Sequence, residues 1–155
     1  MTLSEPQLAK LFSPIKPSRV QKNAGFYNLE AWDVIACLNY IFGFDGWGKF
    51  VTYGLIFETQ REQGQVKMPA RWDVAYHAHC RLVIGDVVHE DAATGDAQNQ
   101  PSRADAHDLA LKSAVSGALK RAAKDLGNQF GLSLYNKDEP YKAVVANSLA
   151  HPVKP

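Results

Sequence analysis

The sequence predicts an α+β fold: a helix, a three-stranded antiparallel β-meander, then a long helix packed on the sheet. Three observations predict it. Apolar residues recur at helical spacing over 31–42 and again over 111–126. Strict alternation of apolar and polar residues runs through 72–84. The helical patterns flank the strand patterns and do not alternate with them, which argues against a βαβ arrangement. At 155 residues, with 46% hydrophobic and 21% charged residues, the chain is long enough to bury a core.

Ser4, followed three residues later by Gln7, marks a capping box for a short helix through Phe12, which Pro14 and Pro17 end. Lys16 to Lys22, KPSRVQK, reads as a basic loop carrying Lys16, Arg19 and Lys22. It is either a surface connection or a nucleic-acid contact. Asn28 is placed to cap the second helix, whose apolar positions are Ala31, Val34, Ile35, Leu38, Ile41 and Phe42. Gly43 stops it.

Strands follow. Trp47, Val51, Tyr53, Leu55 and Phe57 alternate through 47–59, and Gln60 to Gln65, containing Gly64, reads as a turn or long hairpin loop. In the next run Trp72, Val74, Tyr76, Ala78, Cys80, Leu82 and Ile84 face one way, while Asp73, His77, His79 and Arg81 face the other. Gly85-Asp86 suits a two-residue hairpin turn, after which Val87 to Asp91 pairs back. Ala92 to Pro101 reads as a polar loop. Ser102 with Asp105 caps the long helix, Ser102 to Asn128. The domain is expected over 1–141, with 142–155 as a poorly ordered tail.

The net charge of +1 is not that of a dedicated polycation, so any electropositive surface must come from uneven placement. Acids concentrate at Asp86, Glu90, Asp91 and Asp96 and again at Asp138 and Glu139. Cys37 and Cys80, each among apolar neighbours, are expected as buried free thiols in a reducing compartment. No apolar run approaches the ~18 residues of a membrane span, and the N-terminus lacks a leader pattern, so an intracellular, non-secreted protein is expected.

The long helix carries Lys120, Arg121 and Lys124 within roughly 100° of arc. Leu111, Val115, Ala118, Leu119, Ala122, Ala123 and Leu126 form an apolar stripe, and Ser113 and Gly117 leave the cations uncrowded. Such a surface suits a phosphate backbone, although a cationic helix face is more often simply solvated. In FGFDGWG at 42–48, Phe42 and Trp47 read as a packed corner and Phe44 as a candidate stacking partner for bases. His77 and His79 share a strand face, but Cys80 points the other way and His89 and His107 bear no fixed relation to them, so no metal is expected. Glu90 and Asp91 point to opposite faces and cannot flank one bond. Gly46-Trp47-Gly48-Lys49 is too short for a phosphate loop, and no Ser/His/Asp or Cys/His arrangement is present. These patterns argue against an enzyme and against any cofactor.

LNYIFGFDGWG at 38–48, VHED at 88–91, ALKRAAKDLGNQFG at 118–131 and LYNKD at 134–138 come in one order. Together they resemble the N-terminal annealing domain of the Rad52-type single-strand annealing family, over roughly residues 7–140. The resemblance implies a β-β-β-α unit assembled into a homo-oligomeric ring, with single-stranded DNA in a basic groove and its bases exposed for pairing. It implies ATP-independent annealing in homologous recombination and double-strand break repair. Lys120, Arg121 and Lys124 match the family's inner DNA groove, and Phe44 matches an aromatic near it. Arg19 and Lys22, with Lys16, are the basic loop residues that would supplement the groove. Lys67, Arg71 and Arg103 are the nearest candidates for a second, outer DNA site.

Asp33 departs from the pattern, because some members carry a DNA-contacting arginine there and an acid repels phosphate. The long C-terminal region of eukaryotic members is absent, which suggests a minimal bacterial, phage or organellar form. A recombinase or a single-strand-binding protein is a further partner the resemblance allows, while a membrane is not. The alternative reading is a single-strand-coating protein without annealing activity. A third is a metal-dependent nuclease built on His77, His79 and Glu90.

Overall fold

The structure, a computed structural model, describes residues 2–62 and 69–152. Helix α1 spans Glu5–Phe12, α2 Ala31–Phe42 and α3 Arg103–Ala123. Strands β1 (Gln21–Asn23) and β2 (Phe26–Asn28) form a hairpin, and β3 (Gly48–Gln60), β4 (Trp72–Ile84) and β5 (Val87–Gln100) form a three-stranded sheet in that order. The α+β architecture is the one expected, with the long helix packed on the sheet. The chain divides into two compact units: residues 1–48, 82–89 and 123–155, and residues 49–81 and 90–122.

In the first unit the capping box closes α1. Ser4 Oγ accepts from the Gln7 amide at 3.3 Å, and Gln7 Oε1 accepts from the Ser4 amide at 2.8 Å. The basic loop carries regular structure. Pro17–Arg19 forms a 3-10 turn, and Gln21–Asn23 pairs antiparallel with Phe26–Asn28 across Ala24 and Gly25, both at positive φ. Asn28 is therefore a strand residue. Glu30 occupies the cap of α2 without a side-chain cap bond, which corrects the expected start of that helix. Gly43 ends α2 at φ 79 as expected. The unit's core gathers Ile15, Leu29, Val34, Leu38, Ile41 and Phe130, with Phe42 stacked on Phe130. Asn128 is fully buried. Its side chain binds the carbonyls of Leu11, Phe12 and Val145 and accepts from the Val144 amide, tying residues 144 and 145 to the unit.

In the second unit small residues decide the packing. Ala106, Ala110, Ala114, Ala118 and Ala122 are fully buried along α3. Val74, Ala97, Ala106 and Ala110 form one cluster, with Trp72 and Tyr76 against it. The expected polar loop after Asp91 is instead strand, because β5 continues to Gln100. Ala93, Gly95 and Ala97 alternate inward there, and a Cβ on Gly95 would lie 2.4 Å from the Ala114 amide nitrogen and 2.5 Å from the Ala110 carbonyl oxygen. Helix and strand thus approach at backbone distance, and that burial outweighs the poor strand propensity of Gly, Asp and Asn. Ser102 caps α3 as expected, its Oγ accepting from the Asp105 amide. The α-helix stops earlier than expected, at Ala123, and tightens into a 3-10 turn over Lys124–Leu126 before Gly127.

Strand β4 has the expected faces: Val74, Ala78, Cys80, Leu82 and Ile84 are buried, while His77 and Arg81 are exposed. Strand β3 does not bury one face. Phe50 and Ile56 on one side and Tyr53, Leu55 and Phe57 on the other are 46–64% exposed. Cys37 and Cys80 are buried free thiols, and burial pushes both upward from the ordinary thiol value.

Candidate nucleic-acid interface

The cations on the long helix are set up by its alanine face. With Ala118, Leu119, Ala122 and Ala123 buried, Lys120 and Arg121 are left on the outer side of α3. Lys120 is half-buried. Arg121 is exposed and sits beside Asp91 of β5, Nε to Oδ1 at 3.3 Å. Asp91 thus belongs to the cationic face rather than apart from it, and it offsets part of the field that Arg121 offers to a phosphate. Lys124 belongs to the other unit, where its Nζ lies 3.4 Å from Asp125, whose other oxygen is 3.8 Å from His89 Nδ1.

Phe44 follows the turn that closes α2. It is 87% exposed, whereas Phe42 packs on Phe130 and Trp47 donates Nε1–H to Asn39 Oδ1 at 2.7 Å. In the aromatic corner Phe42 and Trp47 are half-buried and Phe44 is exposed. Lys22 on β1 is exposed, its Nζ 5.3 Å from the centre of the Tyr27 ring.

Arg19 is placed differently. Its guanidinium grips Asp33 in a fork, Nη2 to Oδ2 at 2.8 Å and Nε to Oδ1 at 3.1 Å. It also donates to Gln129, Nη1 to the side-chain oxygen at 2.8 Å and Nη2 to the backbone carbonyl at 2.9 Å. Gln129, buried, in turn donates Nε2 to the carbonyls of Ser13 and Pro14. Arg19 joins the turn before β1, helix α2 and the segment after α3. Burial opposes its charge, but the Asp33 hydrogen bond leads the contacts that leave it more basic than usual. Asp33 is thus the buried partner of an arginine, and its charge is neutralised rather than presented to a phosphate.

The outer candidates lie in the second unit, except that Lys67 falls outside the described residues. Arg71 precedes β4 and reaches the Asn99 carbonyl at 3.4 Å. Arg103 opens α3, its guanidinium 5.3 Å from the Trp72 ring centre and its Nε 3.0 Å from Glu58 Oε2. Nearby, Arg61 pairs with Asp73 at 2.9 Å, and Asp73 Oδ1 also accepts from the Asn99 amide. Arg61, Trp72, Glu58 and His107 are not among the residues that motif spacing selects. Glu58 and His107 are 49 positions apart and meet only because β3 and α3 pack together, so no local signal marks them. Glu58 is held below the usual carboxylate range by hydrogen bonds from His107 first and Arg103 second. Among the described residues no three His, Cys, Asp or Glu side chains are grouped to hold a metal ion, and no helix is long and apolar enough to cross a membrane.

The model of the Rad52/22 family of double-strand break repair proteins matches residues 3–152. The chain is 34% identical over 135 residues to the DNA repair and recombination protein RAD52 of Kluyveromyces lactis, covering 83% of this chain and 30% of the relative. It is 32% identical over 141 residues to RAD52 of Saccharomyces cerevisiae, covering 87% and 29%. It is 30% identical over 138 residues to rad22 of Schizosaccharomyces pombe, covering 86% and 28%. The chain thus spans under a third of the length of these relatives. All three relatives are eukaryotic proteins.

Proposed function

We propose a function from an established premise: the chain belongs to the Rad52/22 family of double-strand break repair proteins. It binds single-stranded DNA and anneals complementary strands without nucleotide hydrolysis and without making or breaking covalent bonds. The observation that carries this reading is the family match over nearly the whole chain. The outward placement of Lys120 and Arg121 on an alanine-backed helix supports it. Contacts to phosphate give affinity that ignores base identity, as annealing of arbitrary sequences requires. Exposed Phe44 supplies a stacking surface with the same tolerance. In this reading Lys120 and Arg121 in one unit, and Lys124, Phe44 and Lys22 in the other, each offer contacts to the first strand, with Arg19 positioning its neighbours, and Arg71 and Arg103 hold a second strand.

Assembly into a ring is part of the proposal. Strand β3 is an edge of its sheet with large apolar side chains uncovered on both faces. An edge of that kind invites another chain. A closed ring of copies would cover it and would repeat a modest cationic face into a continuous track. A fluorescence assay with two complementary labelled oligonucleotides tests the function, and mass measurement with and without DNA tests the assembly. Annealing faster than the spontaneous rate, by an oligomer, is the expected result. A protein that binds but slows pairing would be a coating protein, and cleavage of labelled DNA in Mg²⁺ or Mn²⁺ would make it a nuclease.

A further inference from the structure

Arg103 and His107, one turn apart on α3, converge on a single atom. Both donate to Oε2 of Glu58 on β3, Arg103 through Nε at 3.0 Å and His107 through Nε2. The other ring nitrogen of His107, Nδ1, meets the Tyr76 hydroxyl of β4 at 2.6 Å. The titratable and charged groups facing the imidazole are therefore Glu58 from β3, Tyr76 from β4 and Arg103 from its own helix. The Arg103 side chain is 64% exposed, while those of Glu58 and His107 are 20% and 28% exposed. A solvent-facing cation is thus held from behind by a sheltered carboxylate that also serves a histidine.

The imidazole fits this position in both of its protonation states. When neutral, Nε2–H donates to Glu58, and Nδ1 accepts from the Tyr76 hydroxyl. A proton added at Nδ1 reverses the second contact, so that Nδ1–H donates to Tyr76 Oη and the phenol hydrogen turns away. The hydrogen bonds persist and only the charge changes, by one unit. With a neutral ring, Glu58 balances Arg103 alone. With a charged ring, one carboxylate faces two cations, and Arg103 keeps positive charge to offer outward. Imidazole is the side chain whose ordinary change of charge lies nearest neutral pH.

We propose that the Glu58–His107 pair gates Arg103 as a phosphate contact, so that single-stranded nucleic acid is held more tightly at the start of α3 when His107 is protonated. This rests on the nucleic-acid reading above and adds a control that the family match does not contain. The pairs around it leave Arg103 as the group to be gated: Arg61 has its own counterion in Asp73, and Arg71 reaches a backbone carbonyl. Trp72 beneath the guanidinium holds it in place as it exchanges a carboxylate for a phosphate.

The test is binding of a labelled oligo(dT) to the full chain, by fluorescence anisotropy at fixed ionic strength, from pH 8 to pH 6. Wild type should tighten about threefold to fivefold, the range of one partly exposed charge pair. His107→Gln should remove that response. Glu58→Gln should bind tightly at both pH values, and Arg103→Ala weakly at both. At pH 8 His107→Gln should bind as wild type does and Glu58→Gln more tightly, a split that a general loss of folding cannot imitate. A His107→Gln profile that follows wild type, or weaker binding by Glu58→Gln, overturns the gate while leaving the DNA-binding reading intact. Wild type that ignores the oligonucleotide at every pH overturns both.

Discussion

Arg19 and Asp33 are bound side chain to side chain in a two-point fork, with Nη2 and Oδ2 2.8 Å apart and both side chains mostly sheltered. The pair ties the basic loop to helix α2. Asp33→Ala leaves the guanidinium sheltered beside Gln129 with its charge unbalanced. Removing one partner of a sheltered ion pair costs about 2–4 kcal/mol once the remaining exposure is allowed for. Urea denaturation should show that loss, and Arg19→Ala should show a similar one. The Arg19 donors are already turned inward to Asp33 and Gln129. Oligonucleotide affinity of the folded Arg19→Ala protein should therefore stay within about twofold of wild type, the range of a screened charge that makes no direct contact. A large fall in affinity at unchanged stability would return Arg19 to the DNA-contacting set.

At Gly95 the sheet and the long helix approach at backbone distance. An added Cβ would meet the backbone of Ala114 and Ala110, which cannot swing aside as a side-chain end can. Gly95→Ala should therefore destabilise the protein by about 1–3 kcal/mol through forced separation of strand and helix. The melting temperature reports it directly. An unchanged melting temperature would mean that helix and strand part without loss.

The same glycine shows why part of the fold could not be read in advance. Strand β4 is visible because its alternation is made of bulky residues, Trp72 to Ile84. The second half of β5 alternates Ala93, Gly95 and Ala97, and only the helix lying over them turns those small residues into a buried face. Periodicity weighs hydrophobic bulk, so it assigns the segment to a loop. The site divides in the same way. The positions of Lys120, Arg121 and Phe44 follow from helix spacing and turn chemistry within one short segment each. The partners that modify them, Asp91 beside Arg121 and Glu58 beside Arg103, arrive from strands 30 and 45 residues away. Asn28 misleads for a simpler reason: a good capping residue is equally at home in a hairpin strand, and Glu30 takes the cap position without capping.

Stability should fall on the acid side through two carboxylates. Glu58 is held low by His107 and Arg103, and Asp73 by Arg61 first and the Asn99 amide second. A folded-state value below the unfolded one means that unfolded chains take up protons first as pH falls. The stabilisation is full above the ordinary carboxylate values, about 4.3 for Glu and 3.9 for Asp, and is lost as pH drops through the lowered folded values. Urea midpoints measured from pH 6 to pH 3 should decline less steeply in Glu58→Gln and Asp73→Asn than in wild type. Parallel curves would show that these carboxylates do not discriminate between the folded and unfolded chain.

Asp91 tempers the cation beside it, so its removal should strengthen DNA binding. Asp91→Asn keeps the shape and deletes one negative charge 3.3 Å from Arg121 Nε. A charge pair of this exposure supports about a twofold to fivefold gain in affinity for single strands of any sequence. Lys120→Ala with Arg121→Ala should weaken binding to all sequences alike and lower the slope of log affinity against log salt, by about 0.7 for each single-strand phosphate that is no longer neutralised. Fluorescence anisotropy at several salt concentrations measures both. Affinity and slope that stay at wild-type values in the double variant would remove this face of α3 from the interface.

Phe44 offers the cleanest separation of binding from folding. At 87% exposure its ring covers almost nothing of its own chain, so Phe44→Ala should leave the melting temperature within a degree or so of wild type. If the ring stacks on a base, its removal should cost about 1–3 kcal/mol of binding, some fivefold or more in affinity. That cost should be independent of salt, because stacking releases no counterions, whereas the effects of removing Lys120 and Arg121 should shrink as salt rises. Phe44→Tyr should restore most of the binding, since a phenol ring stacks as a phenyl does. Affinity unchanged in Phe44→Ala would place the exposed ring outside the strand's path and assign it to some other contact of the assembled protein.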